Sequence, residues 1–355
     1  MIAKLHSQTS LHRFLSSFAL TLVSVLALAA CSAKTENAHV QDDLSAESIN
    51  AATTPIYRQS LVTPANYIYP KQNTFKVLSW NVEHFLDEYD DPYIENDREN
   101  NPSSSMQGKR ENLAIALKEE NADIVVLQEF ESAKLLRDIA NNELTGMGYQ
   151  FFADAPSHSW YMNVVIMSKF PLGVMYSYGN ANTPVLNYLN AKGEKETQRN
   201  LNTRAWSIDV FPSENYSFVL TALHLKAGRG ERNIGMRLGQ IHFLKTQFER
   251  FLLEDPQRNI LVVGDFNSLP DSAELEALLN GKTKGNRFVD VLEPSVFTHT
   301  AIDPRRRLDY AIFNENMASE WVPDSVQTKY YFSPEKQDAT ADHLPIIAEF
   351  YLQDK

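Results

Sequence analysis

Asp123-Ile124-Val125-Val126-Leu127-Gln128-Glu129 is a near-continuous apolar run that stops on a carboxylate. A run without polar alternation is expected of a strand buried on both faces, which needs layers on either side of it. Just before it, residues 110–121 carry Leu113, Ile115, Ala116 and Leu117 among charges, the pattern of an amphipathic helix. Earlier still, Phe75, Val77 and Leu78 lead into Trp80 and Asn81, a short apolar segment of strand type. Further strands are predicted over 164–167, 206–210, 218–223, 260–263, 308–313 and 345–352. The clearest helix is 232–253, where Ile234, Leu238, Ile241, Leu244, Phe248 and Phe251 recur at helical spacing. Gly235 and Gly239 weaken that helix and would permit close approach by a neighbour. Several strands follow directly on one another, so two β-sheets packed face to face under helices are favoured over a simple alternating parallel sheet.

The same apolar runs share a second property. They end at Asn81, Glu129, His224, Asp265 with Asn267, and Asp342 with His343. Carboxylates, amides and imidazoles at buried strand ends are costly unless they bind a ligand or one another. Any one of them alone is most simply a turn former or a satisfied core group. The recurrence at five places is what points to a binding site.

Composition limits what such a site can hold. The chain carries a formal charge of −12 and a pI near 5.3, which excludes nucleic-acid binding through a general basic surface; a polyanion would have to be met by a local positive site. A single cysteine excludes an internal disulfide and a cysteine-built zinc centre. That residue, Cys31, follows Leu28, Ala29 and Ala30 at the end of an apolar run over 14–30, which is preceded by Lys4 and Arg13. The arrangement reads as a bacterial lipoprotein signal over 1–30 with Cys31 the lipidated new N-terminus, the alternative being an uncleaved anchor helix. Residues 31–73, rich in Ala, Ser, Thr, Asn and Asp and punctuated by Pro55, Pro64 and Pro70, read as a flexible tether to a domain over 74–355. The charged stretch 87–98 interrupts that domain and reads as a surface loop.

Six short segments occur in an order that is specific although each is weak: Ser79-Trp80-Asn81-Val82, Leu127-Gln128-Glu129, Thr221-Ala222-Leu223-His224-Leu225, Gly264-Asp265-Phe266-Asn267, Leu308-Asp309-Tyr310 and Asp342-His343-Leu344-Pro345. Together they resemble the motifs of the endonuclease/exonuclease/phosphatase family over about residues 74–352. The resemblance implies a four-layer α/β sandwich, two packed mixed β-sheets flanked by helices, with the motif residues at one end. It also implies metal-assisted hydrolysis of a phosphate ester, with Glu129 as metal ligand and Asn81 and Asp342 beside that metal. Oxygen ligands of this kind suit Mg²⁺ or Mn²⁺.

Hydrolysing a phosphodiester needs an activated water, a clamp for charge on the phosphoryl oxygens and help for the leaving alkoxide. By the resemblance, His343 meets the scissile phosphate and Asp309 pairs with it, either as a general base or as a charged clamp. Asp265 orients or deprotonates the attacking water, Asn267 holds a phosphate oxygen or that aspartate, and His224 stands near the phosphate. Asn81, Asn163 and Arg204 are candidate phosphate contacts, Arg204 being equally readable as a rim salt bridge. Lys226, Arg229 and Arg232, in a loop with Gly228 and Gly230, and the run Arg305, Arg306 and Arg307 offer local positive charge. Two departures from the family pattern, His84 where relatives carry asparagine and Ala341 where serine is common, leave the substrate open.

The function expected from the sequence is a metal-dependent phosphodiesterase acting outside the cytoplasm, with a phosphate-ester substrate, nucleic acid first among the candidates. The enzyme alternative is a sphingomyelinase or phosphoinositide-type lipid phosphatase, for which Trp321 and Tyr330-Tyr331-Phe332 would supply exposed apolar loops unless they belong to the core. The alternative of another class is a non-catalytic surface binding lipoprotein on the same fold. The expected location is a bacterial membrane reached through the N-terminal lipid, an outer membrane given Ser32 after Cys31; no protein partner is predicted.

Overall fold

The computed structural model describes residues 56–59, 61–156, 160–178, 181–201 and 204–353. Residues 1–30, read from the sequence as a lipoprotein signal, and Cys31 lie outside the described residues. In chain order the elements begin with α1 (Ile56–Gln59), β1 (Thr74–Phe85), α2 (Asp97–Asn100), α3 (Met106–Glu120), β2 (Ile124–Phe130), α4 (Ala133–Asn142), β3 (Phe151–Asp154), β4 (Asn163–Ser168) and β5 (Leu172–Tyr176). They continue with β6 (Thr183–Pro184), β7 (Thr197–Gln198), β8 (Ala205–Val210), β9 (Phe218–His224), α5 (Glu231–Glu254), β10 (Ile260–Asp265) and α6 (Ala273–Leu279). After these come β11 (Phe288–Val289), β12 (Asp309–Asn314), β13 (Gln327–Thr328), α7 (Pro334–Asp338) and β14 (Ile346–Tyr351).

Two six-stranded sheets result, in the orders β13-β14-β1-β2-β4-β3 and β11-β12-β10-β9-β8-β5, both mixed. β2 shows why its sequence lacks alternation. Ile124 and Val126 face the other sheet, against Trp206, Leu220 and Val263, whereas Val125 and Leu127 face α3 and α4 through Leu113, Leu117, Leu135 and Ile139. The second sheet repeats the plan, with Val219, Ile260 and Val262 turned outward onto Ile241, Leu244 and Phe248 of α5. The four-layer sandwich is therefore the fold. Each fully buried aliphatic or aromatic side chain contributes about 1.5–3 kcal/mol.

The glycines of α5 do what their position suggests. A Cβ at Gly239 would lie 1.8 Å from the Pro184 carbonyl oxygen and one at Gly235 2.4 Å from that of Leu186, so the β6–β7 hairpin rests directly on the helix backbone. α4, which the strand-and-helix reading passes over, is capped by Ser132, whose hydroxyl accepts from the Leu135 amide at 3.1 Å. Contacts of the domain begin before Thr74: Tyr67 donates to the Lys169 carbonyl at 3.0 Å and Tyr57 to Asp255 at 2.9 Å. Trp321 packs against the inter-sheet core and Phe332 against the α3 side, while the Tyr330 ring stays exposed.

Candidate active site

The polar residues at the strand ends converge because the strands that carry them are interrupted there. β1 and β2 lose register between Asn81 and Phe85, and β2 and β4 between Gln128 and Phe130. Glu83, His84 and Glu129 take φ of 48, 49 and 55°, and Asn267, just beyond β10, takes 51°. Bulges of this kind re-aim a side chain out of the sheet's alternation, here towards the opening between the sheets.

Asn81 links the two sheets. Its Oδ1 accepts from the Glu83 amide at 3.1 Å, which fixes the orientation of the group. Its Nδ2 then donates to Asp265 Oδ2 at 3.1 Å and faces Glu129 Oε1 at 3.4 Å. Asp265 is buried, and Asn267 wraps it, donating through its backbone amide to Oδ1 at 2.8 Å and through Nδ2 to Oδ2 at 3.1 Å. Burial pushes the Asp265 carboxyl above the usual range; His343 opposes the shift and Asp309 adds to it.

His343 is anchored through its own backbone, since the Trp80 indole donates to its carbonyl at 2.8 Å. Its Nδ1 faces Asp309 Oδ2 at 2.7 Å, and its Nε2 points between Asp265 Oδ2 at 3.9 Å and Asp342 Oδ1 at 3.8 Å. Burial alone would lower the imidazole pKa, but Asp309, with Asp265 and Asp342, outweighs it and pushes the ring up to about 10. The ring is thus an imidazolium at neutral pH. Across the opening, His224 Nε2 lies 3.6 Å from Asp265 Oδ2 and 3.8 Å from Glu129 Oε1. Asn81, Glu129, His224, Asp265, Asn267, Asp309, Asp342 and His343 therefore form one continuous cluster.

Asn163 and Arg204 sit differently. Asn163 Nδ2 donates to the carbonyls of Glu131 at 2.6 Å and Tyr161 at 3.4 Å, holding the chain beside the Glu129 bulge. Arg204 offers its carbonyl to the His224 amide, and among the described residues no carboxylate forms an ion pair with its guanidinium, whose pKa burial lowers. The three arginines of the 305–307 run have three fates: Arg305 pairs with Asp303 in solvent, Arg307 is buried on Asp290, and Arg306 reaches His299. In the glycine loop Arg232 pairs with Glu196, and the loop's shape is set by buried Arg237, which donates to the Lys226 and Gly228 carbonyls and pairs with Glu274.

His299 is a site residue that the sequence reading does not single out. Its Nε2 lies 3.4 Å from Asp342 Oδ2, its ring meets His343 edge-on at 4.7 Å, and Arg306 faces its Nδ1 at 2.8 Å. An arginine can only donate, so the His299 proton sits on Nε2, towards Asp342. With His299 and His343 as its leading partners, and burial opposing them, the Asp342 carboxyl is held below the usual carboxylate range. His84, noted in the sequence only as a departure from the family pattern, lies beside Glu129 as well: its Nδ1 meets the Tyr161 hydroxyl at 2.8 Å, and its amide donates to Glu129 Oε2 at 3.1 Å.

The donor set suits a divalent cation. Two groups bring three ligand atoms within 4.8 Å of one another, His299-Asp342-His343 and Asp265-Asp309-His343. Both include His343, whose Nδ1 is already engaged by Asp309, so the second group is better described as an ion-pair network than as a cage. Glu129, which belongs to neither group, offers carboxylate oxygens beside Asn81 and His224, and Asp342 offers its own beside His299 and His343. A hard cation is matched by those oxygens.

A buried acid–imidazolium pair facing a second aspartate and a metal-competent carboxylate supplies the kinds of group that hydrolysis of a phosphate ester needs. The chain belongs to the Endonuclease/Exonuclease/phosphatase family, whose sequence pattern it matches over residues 78–329. Among solved structures, humanized D. rerio TDP2 carrying 14 mutations superposes with a TM-score of 0.51 at 15% identity, covering 78% of this chain and 98% of that one. D. rerio TDP2 complexed with a single-strand DNA product gives 0.51 at 15%, covering 79% and 99%. Staphylococcus aureus beta toxin 275-280 gives 0.50 at 15%, covering 77% and 99%. No curated protein matches the sequence.

Proposed function

We propose that this phosphoesterase is a Mg²⁺- or Mn²⁺-dependent phosphodiesterase that cleaves nucleic acid outside the cytoplasm, tethered to a bacterial outer membrane through lipid on Cys31. The observation that carries the chemistry is His343 held between Asp309 and Asp265, with Glu129 reached through Asn81 and His224. The cation, held by Glu129 with Asp342 beside it, would neutralise charge on the phosphoryl oxygens. His343, cationic at neutral pH, fits a clamp on the scissile phosphate better than a general base. Asp265, whose raised pKa makes it the readier proton acceptor, orients and deprotonates the attacking water, and Asn267 keeps it aimed. His224 and Arg204 add positive or donor groups on the far side of the phosphate, with Asn163 behind the Glu129 bulge.

Nucleic acid is favoured by single exposed rings on both sides of the cluster. Trp160 lies tilted against Tyr161, the partner of His84, and Tyr330 donates to the Ala301 carbonyl in the loop of His299. Separate rings suit base stacking, whereas a lipid phosphatase needs a continuous apolar loop; Trp321 and Phe332 are taken up by the cores. The tether reading rests on the 28–31 motif, and Cys31→Ser should abolish lipid labelling, equal labelling of wild type and variant being the contrary result. To test the substrate, purified residues 32–355 are offered DNA, RNA, sphingomyelin, an inositol polyphosphate and an aryl phosphodiester with Mg²⁺. Cleavage of DNA or RNA is expected. Cleavage of sphingomyelin or inositol phosphate alone would replace this reading by the lipid one, and inactivity on all five would favour a binding protein.

A further inference from the structure

Beside Glu129 the chain forms a cavity of about 220 Å³ lined by Glu83 and His84 of β1, by Arg98 and Ser103 between β1 and α3, and by Ser105 and Lys109 at the start of α3. His84 joins this cavity to the catalytic cluster. Its amide donates to Glu129 Oε2 at 3.1 Å, and its Nε2 lies 3.8 Å from the same oxygen.

The two permanent cations of the lining differ. Lys109 is buried and answered by Glu83, donating to its carbonyl at 2.6 Å with a carboxylate oxygen 3.7 Å away. Arg98 is exposed, and among the described residues no carboxylate pairs with its guanidinium. Glu83 thus cancels one positive charge and leaves one, in a chain whose formal charge is −12. The hydroxyls are also incompletely used. Ser105, at the N-cap of α3, makes no side-chain bond to the helix, and its hydroxyl meets that of Ser103 at 2.9 Å. A bond between two hydroxyls spends only one of their two protons. An unanswered guanidinium, a spare hydroxyl proton and the uncapped positive end of a 15-residue helix therefore border one space. A phosphate oxygen can accept from all three, whereas a cation or an apolar group can satisfy none.

We infer that this cavity binds a phosphate of the substrate other than the scissile one, the neighbouring phosphate of a nucleic-acid strand, with Arg98, Ser103, Ser105 and Lys109 as its donors. The inference rests on the phosphodiesterase reading and adds a second point of attachment to it. Glu129 borders the cavity through His84 and the catalytic cluster through Asn81 and His224, so a strand cut at the cluster has a further phosphate available to the cavity. A contact to a phosphate that does not react holds the strand in register and leaves the chemical step alone.

The test measures binding apart from cleavage. The full chain carrying Asp265→Ala, which should bind without cutting, is titrated with labelled single-stranded DNA and RNA oligonucleotides over a range of salt concentrations. Adding Arg98→Ala should weaken binding at least about tenfold and flatten the slope of log affinity against log salt by about 0.7, the loss of one phosphate contact. Arg98→Lys, which keeps the charge, should restore most of the slope. With Asp265 intact, Arg98→Ala should raise KM for an oligonucleotide with kcat little changed, and should not alter hydrolysis of an aryl phosphodiester, which has a single phosphate. Arg98 is exposed, so its replacement leaves the core untouched. Affinity and salt slope unchanged by Arg98→Ala, or binding of an inositol polyphosphate and of no oligonucleotide, would overturn the inference. Arg98-dependent binding in a wild type that cleaves no phosphodiester would uphold the anion site and strike the catalytic reading alone.

Discussion

β10 has a polar cluster at each end, and the two differ in whether an arginine of the chain answers any of their carboxylates. At the Ile260 end, Arg258 pairs with Asp209, both buried, and Asn259 donates to both oxygens of Glu320 at 2.8 and 2.9 Å while Tyr216 donates to the same carboxylate. At the Asp265 end, Glu129, Asp265, Asp309 and Asp342 meet only histidines and amides; among the described residues no lysine or arginine forms an ion pair with them. The residue types are alike at the two ends. One end is complete within the chain, whereas the other gathers negative charge that a cation and a phosphate's partners would balance. Polar strand ends are thus informative only when the cations that answer them are counted.

The largest effect on stability is expected at the complete end. Arg258→Ala leaves Asp209 buried and unpaired, and should lower unfolding free energy by about 3–5 kcal/mol in urea titration. Replacing both, Asp209→Leu with Arg258→Met, should recover most of that loss. At the incomplete end the effects run the other way. His343→Ala and Asp265→Ala should each lower turnover by about two orders of magnitude or more, at least about 2.7 kcal/mol of barrier, and Asp265→Ala, which removes a like charge, should leave the melting temperature unchanged or raised. A loss of stability matching that of Arg258→Ala would show that the two ends do not differ.

Asp309→Asn should change the pH dependence of activity. The His343 pKa is raised in the folded state, so the stability this charge contributes is present below the ordinary histidine value, near 6.5, and is lost as pH rises towards about 10. With Asp309 neutralised the pKa should fall back, and activity that needs the imidazolium should decline as pH rises through about 6–7. Wild type should hold its rate across that range. A pH–rate profile identical in wild type and Asp309→Asn would contradict the clamp role. Smaller effects are expected away from both clusters. Gly239→Ala, which drives a methyl into the Pro184 carbonyl, should cost about 1–3 kcal/mol, and Arg305→Ala, on an exposed pair, less than about 0.5 kcal/mol.

Much of the fold was legible because burial writes itself into composition. β2 lacks alternation since both its faces are covered, and α5 shows its periodicity because one face meets a sheet. α4 carries an equally clear stripe of Leu135, Leu136, Ile139 and Ala140 after a capping serine, a signal present but not taken up. The site was legible where a polar residue ends an apolar run, as at Glu129 and Asp265. His299 and Arg237 escaped because neither stands at such an end: His299 comes from a loop whose backbone pairs with Arg306 and His343, and Arg237 is a cation inside an amphipathic helix. The 305–307 run looks uniform in sequence, and only tertiary contacts separate its solvated, buried and site-facing members.

The incomplete end of β10 is expected to work with a divalent cation bound at Glu129. Hydrolysis of an aryl phosphodiester, followed in rigorously metal-free protein as Mg²⁺ or Mn²⁺ is added back, tests it most directly. Negligible turnover without metal and saturable recovery on addition are expected. Glu129→Gln should need much more metal for the same recovery, because a charged oxygen ligand has become a neutral amide. Full hydrolysis in the metal-free sample, or a metal dependence identical in wild type and Glu129→Gln, would contradict it.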